Sequence, residues 1–70
     1  MTTKLVCAGP LVRQWEHWQG SRVVMTWKDA GSPYYTSRLY TNWGETVCNT
    51  HARAKTWPGV LRQASRMLSI

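Results

Sequence analysis

The 70-residue chain contains no phenylalanine, only three acidic residues and no long apolar run. The acids Glu16, Asp29 and Glu45 form no recognisable triad with a nucleophile and a histidine, so we expect a non-catalytic protein. No segment approaches the roughly 18–20 apolar residues of a transmembrane helix. Internal repeats and low-complexity tracts are also absent. A chain of this length therefore predicts one small domain spanning residues 1–70.

Because phenylalanine is absent, the five tryptophans and three tyrosines supply all the large aromatic rings. Each of these rings carries an N–H or O–H group, which suits half-exposed surfaces as well as cores. Six arginines and three lysines give a net charge of +6, and arginine is the cation that stacks on rings and binds anions in a bidentate way. The composition predicts a surface that binds an anionic partner.

Two cysteines and two histidines raise the question of a metal site. Cys48 and His51 have ligand-like spacing, and Cys7 with His17 would complete a set of four. Zinc modules usually present two compact pairs, however, and only one pair here is compact. A Cys7–Cys48 disulfide is a second alternative that a reducing cytosol opposes. We expect two buried structural thiols, no metal and no cofactor.

The first residues bear a faint likeness to a signal peptide, because Lys4 precedes the apolar stretch 5–12. Gly9 and Pro10 interrupt that stretch, and it is too short for the apolar region of such a signal. We therefore expect a cytoplasmic protein that does not bind membranes, in the host cytoplasm if a virus or plasmid encodes it.

The first half of the chain predicts a hairpin. Residues 11–17 and 23–27 are rich in β-forming side chains, and a three-residue loop at 18–20 with glycine in its last position would join them. This register places Trp15 opposite Val23. A two-residue loop is the alternative and would change the pairing.

A further strand is predicted at 34–41, after a turn at 29–33. Tyr35 and Leu39 should point to one face of the sheet. A short strand at 5–8 would extend the sheet at its edge. The other face of the third strand should carry Tyr34, Thr36, Arg38 and Tyr40, with Lys28 beside them.

The segment from 42 to 56 fits two structures. Asn42 and Glu45 have the spacing of a capping box, and an apolar stripe follows at Val47, His51 and Ala54, which favours a short helix at about 43–55. The run 46–48 equally fits a strand.

The C-terminal segment predicts an amphipathic helix with Thr56 as its cap and Pro58 in its first turn. Its apolar stripe should pack on the sheet. We therefore predict an α+β fold: a small antiparallel sheet of three to four strands packed against a C-terminal amphipathic helix, with the possible additional helix at 43–55. The expected core consists of Trp15, Val23, Met25, Trp27, Leu39, Val60, Leu61, Ala64 and Leu68, with Trp57 closing one edge.

Nucleic-acid binding is the function that these patterns favour. Exposed rings can stack on bases while arginine holds phosphates, although a solvated sheet face without function is the simpler interpretation. Neither DNA nor RNA is favoured. The predicted contacts are Tyr34, Arg38 and Tyr40 on bases or sugars, and Arg53, Lys55, Arg62 and Arg66 on phosphates.

The alternative function is docking on an acidic host protein, as a small virus- or plasmid-encoded inhibitor. Tryptophan and arginine dominate interface hot spots, and Trp18 and Trp43 lie near predicted loops. Self-association as a homodimer is compatible with either function.

Two families share features with the chain. Three strands followed by a helix, with 22–27, 35–41 and Glu45, loosely resemble the integrase arm-binding domains, which implies a sheet laid in the DNA major groove. Gly20-Ser21, His51 and 58–62 resemble the RNA-cleaving HicA-type toxins, for which a histidine would act as general base. That family carries histidine where this chain has Arg22, so the expectation of a non-catalytic protein stands.

Overall fold

A five-stranded antiparallel sheet carries one helix on one of its faces. The structure is a computed structural model that describes residues 1–40 and 46–69, and for 46–50 it describes the backbone alone. The strands follow one another in space as they do in sequence, so each pairs with its neighbours along the chain. The elements are β1 (Thr2–Ala8), β2 (Val12–Gln19), β3 (Arg22–Asp29), β4 (Tyr35–Tyr40), β5 (Thr46–Ala54) and α1 (Trp57–Leu68).

The β2–β3 hairpin has a two-residue loop, so the predicted three-residue loop is wrong. Gln19 pairs with Arg22, and Gly20 between them has a φ of 61°. A left-handed glycine at the first loop position is typical of tight two-residue hairpins. As a result Trp15 lies opposite Thr26 instead of Val23.

That register decides which side chains of β3 face the helix. Val24 and Thr26 share the helix side with Trp15, whereas Val23 and Met25 lie on the opposite face. Both Val23 and Met25 are buried there. They are therefore buried as predicted but do not belong to the core beneath the helix.

The segment predicted as a helix at 43–55 is the strand β5 from residue 46 onward. Ala54 pairs with Tyr35 and Ala52 with Ser37, so β4 supplies hydrogen-bonding partners that an isolated helical stripe lacks. Small side chains at these positions let the helix approach closely, and Ala52 packs against the core. Tertiary pairing thus outweighs the local pattern. Residues 41–45, which include the proposed cap Asn42, lie outside the described part of the chain.

The helix α1 confirms the prediction for the C-terminal segment. The Thr56 hydroxyl accepts a hydrogen bond from the Gly59 amide at 3.2 Å, and Pro58 lies in the first turn. Below the helix, Val24 and Leu39 meet its buried face. Leu39, Val60, Ala64 and Leu68 are buried as predicted, with Met67 beside them, whereas Trp15, Trp27 and Leu61 are only half-buried.

A chain of polar side chains crosses the helix side of the sheet through four strands. The His17 ring bonds to the Thr3 hydroxyl through Nδ1 and to the Thr26 hydroxyl through Nε2, each at 2.9 Å. Thr26 bonds in turn to the Ser37 hydroxyl at 2.8 Å. His17, Thr26 and Ser37 are almost wholly buried, so their hydrogen bonds replace those lost to water.

Burial of His17 makes the stability of the fold depend on pH. Desolvation lowers the pKa of this imidazole below its ordinary value of 6.5. Below about pH 6.5 the unfolded chain binds a proton that the folded chain resists, so stability should fall as the pH drops toward the lowered pKa. Above pH 6.5 this contribution is constant.

Urea denaturation between pH 5 and 7.5 checks this expectation. The His17→Gln variant should no longer show the loss of stability between pH 6.5 and the lowered pKa. The His51→Gln variant should retain that loss, because it replaces an exposed histidine and leaves His17 in place. A His17→Gln profile parallel to the wild type would contradict the assignment.

Candidate nucleic-acid interface

The sheet face that α1 does not cover, here called the outer face, carries the candidate site. Antiparallel pairing arranges its side chains in rows that run across the strands. One row places Trp27 beside Thr36 and Thr36 beside Arg53. The next row places Met25 beside Arg38 and Arg38 beside His51.

The arginines and the histidine of these rows are exposed. Arg38, His51 and Arg53 are exposed, and Trp27 is half-buried between them and β2. Among the described residues, none forms an ion pair or hydrogen bond with the guanidinium of Arg38 or Arg53. Unpaired arginines next to an accessible indole can bind a phosphate and stack on a base at the same time.

A depression of about 300 Å³ lies within these rows. Trp27, Thr36, Arg38 and His51 line it, together with Asp29. The other described acid, Glu16, accepts a hydrogen bond from the Trp18 indole at 2.9 Å. Asp29 and Arg38 are therefore the one acid and the one arginine among the described residues that line the depression.

Tyr34 and Lys55 lie one residue beyond the paired ends of β4 and β5. The Lys55 Nζ is 5.6 Å from the centre of the Tyr34 ring, a cation–π distance. Both residues lie in bends just outside the strands, where strand alternation does not fix the direction of a side chain. Tyr40, inside β4, belongs to the outer face, where it is half-buried opposite Val23.

Three predicted cations lie elsewhere. Arg62 and Arg66 are exposed on α1, on the other side of the sheet from Arg38. Lys28 was expected beside Arg38, but it pairs with Arg13 on the helix side, so that grouping is wrong. Its ammonium group donates to the carbonyls of Asp29 and Ser32 and closes the β3–β4 turn. The predicted contacts therefore divide between two sides of the molecule.

Two residues of the depression, Trp27 and His51, were not among the predicted nucleic-acid contacts. Trp27 was assigned to the core, because the wrong hairpin register directed it toward the helix. His51 was assigned to a helix stripe, and the strand alternative for this segment would have placed it on the same face as Arg53. For Trp27 the sequence left the hairpin register open, and for His51 it left open whether the segment is a helix or a strand. The alternative choice in each case would have indicated the outer face.

The cysteines and histidines do not support the proposed zinc set. Both ring nitrogens of the buried His17 are hydrogen-bonded to hydroxyl groups, those of Thr3 and Thr26. No group of three metal-binding side chains occurs within the described residues. Cys7 is exposed, so the expectation of a buried thiol is wrong there, and the side chain of Cys48 lies outside the described part.

Trp18 and Trp43 were predicted to anchor a protein partner. Trp18 is half-buried near the end of β2, with its indole bonded to Glu16. Trp43 lies outside the described residues.

Within 1–40 and 46–69, no helix has the length and apolar character needed to cross a membrane.

Comparison with known proteins adds no family. No family model, curated protein or solved structure matches the chain. The side chains of the outer face are therefore the basis on which a function is proposed.

Proposed function

We propose that the protein is a non-catalytic nucleic-acid-binding domain whose outer face binds single strands. The observation that carries the proposal is the pair of exposed arginines Arg38 and Arg53, which have no guanidinium partner among the described residues and share the outer face with the half-buried ring of Trp27. The exposed ring of His51 lies beside Arg38. A duplex keeps its bases stacked inside, so an indole on a sheet face gains a stacking contact only from an unpaired base. The proposal assigns binding to this face and leaves Arg62 and Arg66 outside it.

Titration of the purified protein with three oligonucleotides tests the proposal. We expect saturable binding to mixed-sequence single-stranded DNA or RNA, weaker binding to duplex DNA, and affinity that falls steeply with salt. Tryptophan fluorescence should be quenched on binding, because Trp27 lies within the site. Absence of binding to all three at low salt would overturn the proposal, and equal affinity for duplex and single strands would overturn the choice of single strands.

The same experiment addresses the alternative of an acidic protein partner. That partner would meet the same basic face, because opposite potentials favour association. A salt-tolerant complex with a protein, without any affinity for oligonucleotides, would favour the alternative. The cytoplasmic location and the possible homodimer stay predictions.

A further inference from the structure

Two adjoining cavities lie on the helix side of the sheet, on the face opposite the candidate nucleic-acid interface. They flank the turn at Gly9 and Pro10 between β1 and β2, and Arg13 lines both of them. Their volumes are about 370 Å³ and 710 Å³. Ligand pockets usually fall in this range.

The smaller cavity is cationic. Arg13 and Lys28 line it and lie directly opposite each other on β2 and β3. Like charges in that position repel and destabilise a sheet unless an anion lies between them. Arg13 is exposed and has no partner among the described residues, while Lys28 uses two of its three N–H groups on backbone carbonyls. Neither described acid lines this cavity or its neighbour.

The larger cavity is mainly apolar and has a flat aromatic wall. Trp15 lines it with Leu5, Ala8 and Pro10. The indole of Trp15 is half-exposed, and its ring centre lies 4.9 Å from that of Trp57 and 5.7 Å from that of Tyr35, contacts that restrict its movement. A rigid, accessible indole suits a planar ring, because stacking costs it little conformational entropy.

We propose that the two cavities form a binding site for a mononucleotide. The phosphate lies between Arg13 and Lys28, and the base lies against Trp15. Arg13 lines both cavities, so it lies where the ribose would join the phosphate to the base. The phenol of Tyr35, which lines the cationic cavity and has no hydrogen-bond partner among the described residues, is available to the phosphate or the sugar. This site is independent of oligonucleotide binding on the outer face.

Calorimetric titration of the full chain with adenosine 5′-monophosphate tests the proposal, with adenosine and inorganic phosphate as separate probes. We expect the nucleotide to bind with a Kd on the order of 1 mM or lower, and each separate part to bind at least about tenfold more weakly. In ¹H–¹⁵N spectra the indole N–H of Trp15, assigned with Trp15→Phe, should shift on titration.

Arg13→Gln should weaken nucleotide binding by about tenfold or more, because a charge-assisted hydrogen bond is lost. Lys4→Gln removes the same charge from the opposite face of β1, where Lys4 pairs with Glu16, and should leave the affinity unchanged. The proposal would be overturned if the two variants lost equal affinity or if the nucleotide did not bind. It would also be overturned if other indole signals shifted on titration while that of Trp15 did not. No oligonucleotide is used, so the result does not depend on the proposed function.

Discussion

Replacing Thr26 by valine should lower the free energy of unfolding by about 2–3 kcal/mol, although the two side chains have nearly the same shape. The Thr26 hydroxyl is the central link between His17 and Ser37, with hydrogen bonds of 2.9 and 2.8 Å. Valine would leave a ring nitrogen and a hydroxyl without partners in the interior. Each such group costs about 1–3 kcal/mol when it cannot reach water.

Urea denaturation at pH 7.5 measures this loss, and Thr36→Val is the matched control. Thr36 lies on the outer face and is only half-buried, so the same exchange there should change stability by less than about 0.5 kcal/mol. Domains of this size have only about 3–5 kcal/mol of net stability, so Thr26→Val should also lower the melting temperature by roughly 10 °C or more. A Thr26→Val protein as stable as the wild type would show that the hydroxyl chain contributes little.

Much of the fold follows from patterns within single elements. The helix after Thr56 combines a cap, a proline in the first turn and a continuous apolar stripe, and all three signals agree. The edge strand at 5–8 was predicted as well, although it begins at Thr2. Elements whose local signals agree are the ones that a sequence alone can specify.

What the sequence did not determine was register. The loop between β2 and β3 fits two or three residues on composition alone. The observed loop at Gly20 and Ser21 shifts the partner of Trp15 by three residues, from Val23 to Thr26, and this odd shift moves Val23, Met25 and Trp27 to the opposite face. Likewise β5 is a strand because β4 supplies its hydrogen-bonding partners. The local sequence of residues 46–54 carries no information about that partner.

In the candidate site, too, single residues could be predicted from the sequence but their neighbours across strands could not. Arg38 and Arg53 were each predicted to bind, but their adjacency requires the pairing of Thr36 with Arg53 and of Arg38 with His51. The hydrogen-bonded chain from Thr3 to Ser37 was not predicted, because it depends on the registers of three strand pairs at once. Side chains brought together across strands are the part of a site that local patterns miss.

Substituting both Arg38 and Arg53 by glutamine should weaken binding of a single-stranded oligonucleotide by about 100-fold at low salt. Both guanidinium groups are exposed and unpaired among the described residues, so their removal breaks no described contact within the fold. A charge-assisted hydrogen bond contributes about 1.5–3 kcal/mol, and each 1.4 kcal/mol is a factor of ten. The dependence of log K on log salt should also become shallower by about 1.4, since each phosphate contact contributes about 0.7 on single strands.

The double variant Arg62→Gln/Arg66→Gln is the control, because it removes the same two charges from the exposed surface of α1. If contacts on the outer face govern binding, this variant should lose less than about threefold in affinity and keep the salt slope of the wild type. Long-range attraction depends on net charge, which falls equally in both variants, so only direct phosphate contacts can separate them. Equal losses of affinity and slope in the two variants would mean that net charge, and not the arrangement of Arg38 and Arg53 beside Trp27, attracts the nucleic acid.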